Sequence, residues 1–289
     1  MLGLSNGVNL CGKMAFSKLT NDKDRMRFGA SSYFLKDRCV TEALDVIARL
    51  GYDSAEIWME HYWSGGQRPA TIARHARTLG LDLTIHAASY DLNITSTNIS
   101  IRRESRRQIR SSLQLAAAVG ASVVVVHPGT LSSSKGDWPA MWQSLKETVA
   151  LLDEWAKEDG VEVGLENMEK RAKEIFVAPD DVARLFSHPW KHIRLTLDLA
   201  HTATVMDPLS YLNQMRVEWI CHVHFSDNTP STTHLPLGEG QLPVVEILKA
   251  LSRIYGGIVS LEGYNPGEGE KLLTHNMAYL RHHGFVATP

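Results

Sequence analysis

The chain has 289 residues, 44% of them hydrophobic and 21% charged, with a formal net charge of −2. That length supports one large core or two modest ones, and the charge balance excludes a globally basic surface made for nucleic acid or an anionic membrane. Three cysteines, Cys11, Cys39 and Cys221, form no CxxC pair, which fits a reducing compartment and makes the cytoplasm the expected location. No apolar run approaches the length of a membrane span, and Met1 to Thr20 lacks the basic start and apolar stretch of a secretion signal.

Residues 1–25 read as an N-terminal extension, either an extra element under the fold or an upstream start, because "MRFGASSYF" from Met26 reads as a natural beginning. Eight short β-branched or apolar runs then follow: "RFGASSYF" (27–34), "SAEIWME" (54–60), "LDLTIHAAS" (81–89), "SVVVVHPG" (122–129), "VEVGLENM" (161–168), "IRLTLDLAH" (193–201), "ICHVHFSDN" (220–228) and "IVSLEGYN" (258–265). Stretches of helical spacing lie between most of them, and several end in glycine where a helix C-terminus should, at Gly51, Gly80, Gly120 and Gly160. Eight strands joined by helices predict an α/β single-domain (β/α)8 TIM barrel over residues 26–289. An open doubly wound sheet is the competitor, but no G-x-G-x-x-G turn follows the first strand.

In such a barrel the chemistry gathers at the C-terminal ends of the strands. The third to eighth strands end in His86, His127, Glu166, Asp198, His224 and Glu262, so six consecutive strands deliver a metal-ligand residue type to one rim. Parity places them inside: Val123 and Val125 share a face with His127, Gly164 with Glu166, and Thr196 with Asp198, while Val124, Val126, Val163, Leu165, Leu195, Leu197 and Leu199 form the opposite rows. Three converging carboxylates repel one another unless something positive sits among them. A divalent cation with imidazole partners resolves the conflict; mixed N/O ligation suits Zn, Mn, Fe or Co better than Mg, with one or two ions per chain.

From about residue 27 to 285 the chain resembles the xylose isomerase-like barrels, the superfamily of sugar isomerases and epimerases, endonuclease IV-type AP endonucleases and some metal-dependent dehydratases. The matching motifs are "VVVVHPG", "VGLENM", "TLDLAHT", "HVHFSDN", "HLPLGEG" and "VSLEGY", specific by their joint order at strand ends. The resemblance implies that Glu166, Asp198, His224 and Glu262 are a metal quartet. It also implies that the two glutamates double as an acid/base pair across the substrate, and that His201 contacts substrate oxygens. His86 and His127 resemble the added ligands of the endonuclease IV branch, where Glu166 would bridge to a second metal; the alternative is that both bind substrate or a carboxylate. A third metal in that branch needs His201, His234 and an aspartate two residues earlier, where this chain has Thr232. The ketohexose 3-epimerase pattern expects a glutamate and an arginine where Ala172 and Pro230 stand.

The leading expectation is therefore a metal-dependent isomerase or epimerase of a sugar or sugar phosphate. It would work by proton transfer through a metal-stabilised enediolate, with Glu166 and Glu262 as the bases and His86, His127, His201 and His234 toward the substrate. The alternatives are an endonuclease IV-like phosphoester hydrolase and a dehydratase acting on a cyclic hydroxy-ketone. The expected partner is a small sugar-like molecule rather than nucleic acid or membrane, and homodimers or homotetramers are common among relatives. "IRRESRRQIR" concentrates five arginines between residues 102 and 110, and its helical spacing reads as a solvated outer face rather than a nucleic-acid groove. His222 shares the parity of His224 one layer deeper and reads as packing. Trp58, Tyr62, Trp63, Tyr90, Trp138 and Tyr264 are candidates for stacking at the rim.

Overall fold

The computed structural model describes residues 25–263 and 265–288. The expected extension, apart from Arg25, and Tyr264 lie outside the described residues. Eight parallel strands close into a barrel: β1 (Arg27–Ser31), β2 (Ser54–Trp58), β3 (Asp82–His86), β4 (Val123–Val126), β5 (Glu162–Glu166), β6 (Ile193–Asp198), β7 (Ile220–Phe225) and, after an antiparallel hairpin of β8 (Asp227–Thr229) and β9 (Thr232–Leu235), β10 (Ile258–Leu261). β1 pairs with both β2 and β10, which completes the ring.

The helices that join the strands stop where the glycines are. Gly51, Gly80, Gly120 and Gly160 end the helices Val40–Leu50, Pro69–Leu79, Ile99–Val119 and Trp138–Asp159, each in the left-handed region that a Cβ disfavours. The outward rows do as parity requires: Val124, Val126, Val163, Leu165, Leu195 and Leu197 are all buried in the main hydrophobic core. The arginine-rich segment lies on the helix Ile99–Val119. Arg107 pairs with Glu104 within the helix, while Arg110 pairs with Glu158 and Asp159 and Arg106 donates to Thr148, which ties this outer helix to the helix Trp138–Asp159.

Several apolar runs are longer than their strands, because polar side chains turn the chain at the barrel rim. Ser31 caps a short 3-10 turn at Ser32–Leu35 inside the first run. In the sixth run the strand stops at Asp198, whose Oδ1 accepts from the His201 backbone N–H at 2.8 Å and starts the short helix Leu199–Thr202. Leu199 is thus buried from a helix rather than from a strand row. The barrel interior below the rim is polar, with Ser54, Thr84, Thr196 and Ser260 fully or almost fully buried. Gly164 belongs to this layer because a Cβ there would lie 2.1 Å from Thr196 Oγ1 and 3.2 Å from Cys221 Sγ.

Candidate active site

Glu166, Asp198, His224 and Glu262 arrive from the ends of β5, β6, β7 and β10 and are all buried. Asp198 stands opposite His224 in the β6–β7 register, and His224 Nδ1 lies 3.0 Å from Glu166 Oε1 and 3.3 Å from Glu262 Oε1. All four ligand atoms fall within 4.8 Å of one another. Asn167, the residue after β5, clasps Asp198: its Oδ1 accepts from the Asp198 N–H at 2.8 Å and its Nδ2 donates to the Asp198 carbonyl at 3.0 Å. With Asp198 Oδ1 used as the helix cap, Oδ2 is left to face the cage.

The donor set fits a divalent cation. Glu166 Oε2, Asp198 Oδ2 and Glu262 Oε1 are buried and make no hydrogen bond, an arrangement that is costly unless a positive charge is shared among them. The protein's own charges show the same conflict. Burial works against charge throughout, yet Glu262, Glu56 and Glu166 hold the His224 imidazole well above its ordinary value. Glu166 stays well below the usual carboxylate range in spite of burial, because His224 and His127 face it. Glu262 is pushed well up by burial and by the neighbouring Glu166 and Asp198.

His86 and His127 flank the quartet on the side of Glu166. His86 Nδ1 donates to the Ala87 carbonyl at 2.9 Å, which leaves Nε2 as the lone-pair nitrogen, 3.8 Å from Glu166 Oε2. His127 Nε2 is 3.1 Å from the same oxygen, so the three residues form a second group of ligand atoms that shares Glu166. Burial, reinforced by His127, lowers His86 to about 4. Trp58 stacks on His86 with ring centroids 3.9 Å apart.

His201 and His234 meet on the opposite side, Nε2 to Nε2 at 3.4 Å. His201 Nδ1 donates to the Asn167 carbonyl at 2.8 Å, and His234 is placed by the β8–β9 hairpin with a positive φ of 61°. Thr232 is exposed on that hairpin and brings no ligand. The nearby carboxylate is Glu169, buried, with Oε1 within 3.9 Å of both imidazoles and accepting from the Thr233 hydroxyl at 2.7 Å.

The strand-end rule missed Glu169, which sits in the loop after β5, where no periodicity marks it. It also missed Glu56, wholly buried in the middle of β2. The signal for Glu56 was present: a carboxylate within "SAEIW", on the inward row with Ser54 and Trp58. His222 is one layer below His224, as parity places it, and its Nε2 lies 2.9 Å from Glu56 Oε2.

Above these groups opens a cavity of about 290 Å3 bordered by Trp58, His127, Arg171, Glu174, His201 and His234, with Glu166 and Glu262 at its floor. Tyr33 and Trp58 line an adjoining hollow, and Tyr90 meets both rings edge-on. Of the other aromatic candidates, Tyr62 packs on the core, while Trp63 and Trp138 are exposed.

A closed parallel barrel whose strand ends converge carboxylates and imidazoles on one cavity defines the class: a (β/α)8 barrel whose C-terminal rim gathers residues that could hold a metal ion. The chain belongs to the xylose isomerase-like TIM barrel family, whose sequence pattern matches residues 44–283. An uncharacterised protein of Methanocaldococcus jannaschii is 28% identical over 255 residues, covering 83% of this chain and 84% of that protein. An uncharacterised protein of Mycobacterium bovis is 27% identical over 289 residues, covering 88% and 95%. Among solved structures, a D-tagatose 3-epimerase-like protein superposes with a TM-score of 0.79 at 25% identity over 89% of this chain and 97% of its own. An L-ribulose 3-epimerase superposes with a TM-score of 0.77 at 18% identity, covering 89% and 94%, a likeness of fold. No helix among the described residues is long and apolar enough to cross a membrane.

Proposed function

We propose that the protein is a metal-dependent isomerase or epimerase of a small keto sugar. The observation that carries this reading is the pairing of two buried glutamates, Glu166 and Glu262, within 3.3 Å of one imidazole nitrogen at the floor of an open cavity. A divalent cation held by Glu166, Asp198, His224 and Glu262 would supply Lewis-acid stabilisation for the negative charge that develops as a C–H bond beside a carbonyl breaks. Glu166 or Glu262 takes that proton, and the other returns one to the carbon. His201, its tautomer set by the Asn167 carbonyl, offers Nε2 to a substrate oxygen, and His86 and His127 border the same space. Trp58, Tyr33 and Tyr90 give a sugar ring an apolar wall on which to stack. Membership of the family and likeness to solved epimerase structures support the reaction class, and the distances within the rim support the roles of the residues.

A phosphoester hydrolase is the second reading, favoured by one observation: the His86–His127–Glu166 group beside the quartet. The test is to load the purified protein with Mn2+, Co2+ or Zn2+, measure bound metal, and incubate it with D-tagatose, D-psicose, D-fructose and a 3-keto-D-glucoside in D2O. Epimer formation with deuterium at the inverted carbon supports the isomerase reading. No exchange with any sugar, together with cleavage of abasic-site DNA and two or more zinc ions per chain, would overturn it in favour of the hydrolase.

A further inference from the structure

Glu56 is not at a strand end and does not reach the cavity, yet it touches the quartet from below. It comes from β2, is wholly buried, and places its carboxylate against both inward histidines of β7. His222 Nε2 lies 2.9 Å from Oε2, His224 Nε2 hydrogen-bonds the same oxygen at 3.2 Å and lies 3.1 Å from Oε1, and the Thr84 hydroxyl donates to Oε2 at 3.2 Å. A carboxylate so deeply buried is a large cost to the fold unless the surrounding donors are arranged for it.

The consequence for His224 follows from what each atom can do. An ionised carboxylate only accepts hydrogen bonds, so the His224 nitrogen facing Glu56 must carry the ring proton when the imidazole is neutral. The other nitrogen, Nδ1, then presents its lone pair to Glu166 and Glu262, which is the direction of the quartet. The series runs from a carboxylate through an N–H, across the ring, to a lone pair aimed at the cation position. His222 supplies a second donor to Glu56 from the layer beneath and keeps the carboxylate from turning away.

We propose that Glu56 is a positioning residue for the metal centre: it fixes the tautomer and ring orientation of His224 and raises the basicity of its Nδ1 toward a divalent cation. His222 acts through Glu56, so its deep burial serves the site and not packing alone. The inference rests on the metal quartet of the proposed function, and it concerns cation affinity, so it is independent of which substrate is turned over.

The experiment is a competition titration of Zn2+ and Mn2+ against a chromogenic chelator, using metal-stripped full-length protein and Glu56→Ala, Glu56→Gln, His222→Phe and Asp198→Asn. Removing a carboxylate behind a ligating histidine lowers metal affinity by about 10–100-fold. Glu56→Ala should show that loss, with His222→Phe showing a smaller one. Glu56→Gln keeps an acceptor oxygen and the volume, so it should recover part of the affinity and serves as the folded variant if Glu56→Ala does not fold. Wild-type affinity in a Glu56 variant with a native far-UV spectrum, while Asp198→Asn binds weakly, overturns the inference and leaves the quartet standing. Undiminished binding by Asp198→Asn, or no binding by the wild type, overturns the quartet itself and the inference with it.

Discussion

Replacing Glu166 by glutamine removes one charge and one basic oxygen while leaving the volume of the side chain unchanged. In the structure that carboxylate has Oε1 3.0 Å from His224 Nδ1 and Oε2 3.1 Å from His127 Nε2. It therefore takes part in both ligand groups and lies at the cavity floor. A positioned general base contributes about 10²–10⁴-fold to rate, so Glu166→Gln should raise the barrier by about 3–5 kcal/mol even with the metal site saturated. The assay is turnover of the sugar found active, at a Mn2+ concentration that saturates the variant, with the far-UV spectrum as a check on the barrel. A finer readout is solvent deuterium exchange starting from each epimer separately. If the two glutamates serve opposite faces, Glu166→Gln abolishes exchange from one epimer and Glu262→Gln from the other. Wild-type turnover by either variant would refute the assignment of that glutamate as a base.

Three further outcomes test the frame around the site. Gly164→Ala forces a methyl to within 2.1 Å of Thr196 Oγ1 in the closed barrel interior, and should destabilise the protein by about 1–3 kcal/mol in scanning calorimetry; an unchanged Tm would show that this layer yields. Chelation should lower Tm, and adding back a binding cation at 100 times its Kd should restore about 2.7 kcal/mol, whereas a Tm indifferent to Mn2+, Co2+ and Zn2+ counts against the quartet. In the metal-free protein, burial holds His86 at about 4 and pulls His61 and His222 below the ordinary imidazole value of 6.5. The unfolded chain then binds more protons than the fold between pH 6.5 and 4, so stability is present above 6.5 and falls on acidification, by about 3 kcal/mol for His86 alone. Glu262, pushed well above the usual carboxylate range by burial and by the neighbouring Glu166 and Asp198, opposes the trend. With that opposing carboxyl removed by Glu262→Gln, a Tm that rises steadily between pH 6.5 and 4.5 would show that these imidazoles are not neutral in the fold.

Much of this site was legible because a β-strand has a strict period of two and a barrel has only one inside. Once Val124 and Val126 are assigned to the helix side, His127 has nowhere to point but inward. The same holds for Glu166 against Val163 and Leu165, and for Asp198 against Leu195 and Leu197. The four helix-ending glycines were legible for an equally local reason, since the left-handed residue that closes a helix is written in one letter. Strand ends were less so: the run 193–201 continues its leucines past the point where Asp198 caps a helix, and alternation alone does not reveal a side chain that bonds its own backbone.

What the sequence determined by itself was the barrel, its inward rows and the six ligand-type residues at one rim, because each depends on neighbours along the chain. Which residues stand together across the barrel was decided only by the tertiary structure. Glu56 and His222 are 166 positions apart and meet at 2.9 Å. Glu169 comes beside His201 and His234 from a loop, whereas the endonuclease IV pattern has its carboxylate at the position where this chain has Thr232. The closure of eight strands converts separations along the chain into contacts across a common interior, and no pattern of spacing carries those distances.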